Sequence, residues 1–145
     1  MIQRIQTIYF ILAALCFGSM FFLPMAISPV ATQGFFTDQA YTVTDHPILL
    51  AETVLGMVLA LGSIFLYTNR SLQVKMGYAV ILVAIALPVC SFLFLSGSGA
   101  GVEQTASVQQ QAGLFIPVGA IVFAILAMIR IRKDEQLVKS MDRLR

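Results

Sequence analysis

Four long apolar runs alternate with polar stretches along this chain: Ile5–Leu23, Ile48–Tyr67, Met76–Leu95 and Ala112–Ile129. The first holds 19 residues without a charge, preceded by Arg4. About 20 apolar residues rising about 1.5 Å each cross a hydrocarbon core about 30 Å thick. Each run is therefore read as a transmembrane helix. A secretory signal peptide is the rival for the first run. Its apolar region is normally shorter and followed by a small-x-small cleavage site, whereas here Pro24 or Pro29 would occupy the −3 position. An uncleaved helix is the expectation.

The polar stretches carry their own signals. Residues 24–47 hold Asp38, Asp45 and His46 but no Lys or Arg. Pro24 and Pro29 oppose continuation of the first helix. The Thr, Phe, Tyr and Val content that follows predicts a short two-stranded hairpin near Phe35–Phe36 and Tyr41–Thr44. Asn69, Arg70, Ser71 and Lys75 form a short basic connection, and Ser96–Gln111, rich in Gly, Ser and Gln, is expected to be a flexible loop. Within the spans, Gly56 and Ala60 share a helix face, as do Ala120, Ala124 and Ala127, and both stripes invite close helix contact. Pro88 should kink the third span, while Pro117 lies early enough in the fourth to cost little.

Composition agrees with a lipid solvent. The chain is 59% hydrophobic and 11% charged, against about 45–50% and about 25% in soluble chains, and its mean hydropathy is +0.89. The net charge of +2 implies no nucleic-acid surface. The placement of charge is more informative. All nine cations lie at the N-terminus, in the 69–75 connection or in the tail from Arg130 to Arg145. Four spans would put these three segments on one side. By the positive-inside rule that side is cytoplasmic, with residues 24–47 and 96–111 outside and both termini inside.

Little chemistry is visible. Glu52 is the one acid within an apolar run. It is either an intramembrane carboxylate that marks an ion or proton path or pairs with a polar group on another helix, or an interfacial residue favoured by a helix N-terminus. Asp45, His46 and Glu52 would bind a metal only if the loop folded back. More simply, Asp45 is the N-cap of the second span or the residue before it, with Pro47 opening the helix. Cys16 and Cys90 sit in apolar runs and are expected to be small core residues. Ser19, Ser63 and Ser91 have no His within a span to activate them, and Gly97, Gly99 and Gly101 precede no phosphate-binding helix. No cofactor and no enzymatic activity are expected.

The tail carries six cations and three acids, for a net charge of +3. Leu137, Val138, Met141 and Leu144 fall at helical spacing, and Glu135 precedes Lys139 by four. This describes an amphipathic helix that either docks on a protein or lies on the anionic inner leaflet. Its candidate contact residues are Arg130, Arg132, Lys133, Glu135, Lys139, Asp142, Arg143 and Arg145, with Gln3 and Arg4 beside them.

The opening MIQRIQTIYFILAA and the closing IRKDEQLVKSMDRLR resemble a family of short bacterial four-helix integral membrane proteins known as a domain of unknown function. The resemblance implies an inner-membrane location and four helices. It supplies no activity, substrate or cofactor. The expected fold is an all-α four-transmembrane-helix bundle with a small extracytoplasmic β-hairpin and a cytoplasmic C-terminal amphipathic helix. The expected role is a non-enzymatic scaffold or accessory subunit of a larger inner-membrane complex. Its partners would be membrane lipids and a protein or a second copy, with no nucleic acid and no identified small-molecule substrate. A small transporter or channel component using Glu52 is the alternative.

Overall fold

Each apolar run becomes a helix, and the chain turns back on itself after each one. The computed structural model describes residues 3–29, 38–97 and 109–142, without the side chains of 3, 4, 97, 139, 141 and 142. Its helices are α1 (Gln3–Ser19), α2 (Pro47–Phe65), α3 (Arg70–Gly97) and α4 (Ile116–Asp142). They pack in a ring, α1 on α2, α2 on α3, α3 on α4 and α4 on α1. Pro47–Phe65, Arg70–Ser96 and Ala112–Val138 are long and apolar enough to cross a membrane, and Ile5–Ser19 is a shorter apolar helix.

The ends of these helices follow from local chemistry. α1 stops at Ser19, where the expected run continues to Leu23. Residues 20–22 instead form a tighter turn, with the Met20, Phe21 and Phe22 amides bonding the Phe17, Gly18 and Ser19 carbonyls. Pro24 disfavours helical geometry at the residue before it, and Ser19 Oγ donates to the Cys16 carbonyl at 2.8 Å. α3 begins earlier than expected. Asn69 caps it, its Oδ1 accepting from the Leu72 N–H at 3.2 Å. Most of the basic connection therefore forms the first turns of α3. α3 then runs unbroken through Pro88.

A small sheet closes the end of the ring opposite the basic residues. β1 (Ala26–Ile27) lies between β2 (Ala40–Tyr41) and β3 (Gln109–Gln110), antiparallel to both. Of the strand expected at Tyr41–Thr44, only Tyr41 joins the ladder, beside Ala40. Thr42–Thr44 leave the ladder because the Asp45 carboxylate accepts from the Thr42 N–H and hydroxyl, winding Val43–Asp45 into a 3₁₀ turn. Phe35–Phe36 lie outside the described residues. The loop expected to be flexible supplies β3, whose neighbour Gln111 donates its N–H to the Met25 carbonyl at 2.9 Å. Gly113 locks this junction. Its N–H bonds the Pro24 carbonyl at 3.1 Å, and a Cβ there would stand 2.4 Å from that oxygen.

The interior is built on small residues, as the stripes imply. Ala60, Ala120, Ala124 and Ala127 are fully buried. Gly56 takes the Phe17 ring so closely that a Cβ would lie 2.5 Å from it. The outward faces are apolar: Leu15, Val58, Leu82 and Phe92 are all more than half exposed. Such a surface is unfavourable in water and natural in lipid.

Candidate functional site

Two groups of side chains stand out, one at each end of the helices. At the sheet end, α2 and α3 meet through an acid–thiol pair. The Cys90 thiol donates to Glu52 Oε1 at 3.2 Å. Glu52 Oε2 is shut off from solvent and has no hydrogen-bond partner among the described residues. One turn further along α3, Phe94 stacks on the His46 ring with centroids 3.9 Å apart and planes 16° from parallel. Cys90 and Phe94 share one face of α3, so both contacts belong to one seam.

His46, not Asp45, is the N-cap of α2, its Nδ1 accepting from the Ile48 N–H at 3.2 Å. Asp45 is the residue before the cap and faces Thr42. Asp45, His46 and Glu52 therefore point to three separate sets of partners. Among the described residues no cluster of His, Cys, Asp or Glu could hold a metal ion. Cys90 is the residue that sequence reasoning missed. Its apolar surroundings in sequence point to inert packing, yet it is the neighbour of Glu52 on the facing helix.

Beside this seam lies a mostly apolar cleft of about 370 Å³, between the sheet and the C-terminal turns of α3. Met25, Tyr41 and Ser91 form its polar edge, and Pro88, Phe92 and Leu95 its apolar wall. Ser91 Oγ donates to Met25 Sδ at 3.3 Å. Tyr41 is fully buried. Burial pushes its phenol above the ordinary tyrosine value, and the nearby Asp45 charge adds to that, while a Ser91 hydrogen bond opposes it. Glu52 and Cys90 do not line the cleft.

At the other end, α4 continues past the apolar run without a break through Asp142. Nothing between Ile129 and Arg130 would interrupt it, neither Pro nor Gly. Through Asp142 the tail is thus the last turns of the same rod. Among these described residues it has no joint at which to fold onto a lipid surface. Its base is held on both sides. Gln6 of α1 donates its amide to Asp134, and Arg132 donates to the Tyr78 hydroxyl of α3, its guanidinium 5.9 Å from the ring centre. Ile131 is fully buried between these contacts.

The expected contact residues divide accordingly. Arg130, Arg132 and Lys133 are exposed and Glu135 is half-buried. Asp134, absent from the expected set, is the one that anchors the tail to α1. Leu137 and Val138 are about half exposed, at 54% and 48%. The side chains of Lys139, Asp142 and Met141, together with Arg143, Leu144 and Arg145, lie outside the described residues, as do those of Gln3 and Arg4.

The comparison with known families is decided by a single match. The model of DUF4293, a domain of unknown function, covers residues 2–144. The chain belongs to the DUF4293 family. No curated protein and no solved structure matches it. Membership in DUF4293 brings no assigned chemistry, so the functional reading rests on the geometry of these two ends.

Proposed function

We propose that this DUF4293 protein is a non-enzymatic four-span subunit of the bacterial inner membrane that presents its C-terminal helix as a docking rod to a protein partner or a second copy. The observation that carries the reading is the braced tail. α4 is clamped at Gln6–Asp134 and Arg132–Tyr78 and extends a further eight residues from Asp134 to Asp142, with Leu137 and Val138 exposed. At about 1.5 Å per residue that is about 12 Å of rigid helix. A free lipid-binding tail needs no such bracing, and exposed apolar groups on a charged rod suit a partner's groove.

In this reading α1 crosses the membrane with the other three helices, its short helix completed by the 20–22 turn. Both termini are cytoplasmic and the sheet faces outward. The support is the gathering of cations at one end, opposite the sheet. A reporter fused after Arg145 is expected to be active in the cytoplasm only. Deleting Lys133–Arg145 is expected to abolish copurification of the partner from gently solubilised membranes. Undiminished recovery would count against the docking role.

The buried Glu52 Oε2 favours one second reading, a small transporter or channel component that moves an ion or proton past Glu52. Glu52→Gln should then stop coupled flux into liposomes. Full flux in that variant removes Glu52 from any such mechanism.

A further inference from the structure

We infer that the seam between α3 and α4 at the basic end holds the headgroup of one anionic phospholipid, with its phosphate at Arg132 and Tyr78. The inference rests on the membrane reading and not on the docking partner. Side chains lean toward the N-terminus of their own helix. α3 and α4 run in opposite directions, so Tyr78 leans toward the basic end while Arg132 leans back toward the apolar belt. They meet where the Arg132 guanidinium donates to the Tyr78 hydroxyl.

This arrangement fixes an arginine at the edge of the apolar surface, where lipid phosphates lie. A guanidinium has five N–H groups, and the bond to Tyr78 uses one direction of the fork. Tyr78 Oη accepts from arginine, which leaves its own proton to donate outward. Lys75, exposed and three residues before Tyr78, stands on the same face of α3. Leu82 is 67% and Ile129 44% exposed, each on the same helix face as its polar neighbour, and they offer a bed for acyl chains. Two cations and a phenol, against the one carboxylate of Glu135 on the same face of α4, leave a net positive site above an apolar track that matches a net-negative headgroup. A zwitterionic lipid carries its own ammonium, which these cations would repel.

The test is native mass spectrometry of the full chain released from mild detergent, titrated with phosphatidylglycerol or with phosphatidylcholine bearing the same acyl chains. One phosphatidylglycerol should be retained about tenfold more strongly than phosphatidylcholine, as expected for a charge-assisted contact. Arg132→Gln should remove that preference and Tyr78→Phe should weaken it. Arg130→Gln, about 200° round α4, should leave it intact. Equal retention of the two lipids overturns the proposal. So does an equal loss in the Arg130 and Arg132 variants, which would mean diffuse attraction, or displacement of the lipid by millimolar inorganic phosphate. If Arg132→Gln fails to fold, Lys75→Gln is the second variant, and an unchanged preference there also overturns it.

Discussion

Cys90 of α3 donates its thiol hydrogen to the Glu52 carboxyl of α2 across 3.2 Å, while the second Glu52 oxygen is buried without a partner among the described residues. Removing one member of a part-buried polar pair leaves the other unsatisfied, which costs up to about 1–3 kcal/mol. Cys90→Ala should therefore lower the stability of the detergent-solubilised protein by about that amount. Combining Glu52→Leu with Cys90→Ala removes both polar groups, and stability should return to within about 1 kcal/mol of the parent. Thermal unfolding of the three proteins checks this. Equal stability of the Cys90 variant and the parent would show that the bond contributes nothing.

Two glycines predict a second contrast. A Cβ at Gly113 would meet the Pro24 backbone oxygen at 2.4 Å, and one at Gly56 would meet the Phe17 ring at 2.5 Å. At Gly18 it would meet nothing within 4 Å. Overpacking of this kind costs about 1–3 kcal/mol. Gly113→Ala and Gly56→Ala should each lower the melting temperature, Gly113→Ala more because backbone yields less than a ring. Gly18→Ala should leave it unchanged or raise it, since alanine is the better helix former. A drop at Gly18 equal to that at Gly113 would refute the close approach.

These particulars show what the sequence carries and what it hides. The helices were legible because apolar run length reports them directly, and the Gly56 and Ala120–Ala127 stripes reported their contacts. The sheet was not. Its strands are two residues long, β1 sits between two prolines, and β3 joins it from more than 80 positions away. No local pattern encodes such pairing. The Glu52–Cys90 contact left a fainter signal. α2 and α3 form a helical hairpin, and the midpoint of 52 and 90 is residue 71, beside the Leu66–Asn69 turn; that of 46 and 94 is residue 70. Folding the sequence about that turn would have put Cys90 opposite the acid. Asp134 escaped because nothing in a charged tail distinguishes the residue that faces inward.

The Gln6–Asp134 contact predicts how the tail moves. Gln6 is 7% exposed and joins α1 to α4 across 128 positions of sequence. Gln6→Ala should free the base of the tail without disturbing the apolar interior. Amide hydrogen exchange beyond Ile131 should then quicken about fivefold or more, since a hydrogen bond is worth about 1 kcal/mol and opening scales exponentially with that energy. Exchange within 116–128 should not change. Unaltered exchange beyond Ile131 would show that Ile131 and Arg132 hold the tail by themselves.

Tyr41 predicts the alkaline limit of the sheet end. Its phenol is raised above the usual value of about 10 chiefly by burial, which the Ser91 hydrogen bond opposes and the Asp45 charge assists least. A group whose pKa is higher folded than unfolded stabilises the fold while it is protonated in both states. That contribution is complete below about pH 10 and is lost as pH climbs through the folded value. The stability of the parent should therefore fall above pH 10 by more than that of Tyr41→Phe, which has no phenol to ionise. Phenolate absorbance should show one tyrosine titrating above the ordinary value, absent from the variant. Asp45→Asn removes the smaller of the two raising causes, so the late titration should move down slightly without reaching the ordinary value. Identical alkaline profiles for parent and Tyr41→Phe would mean that the hydroxyl meets water and that the cleft between the sheet and α3 is open to solvent.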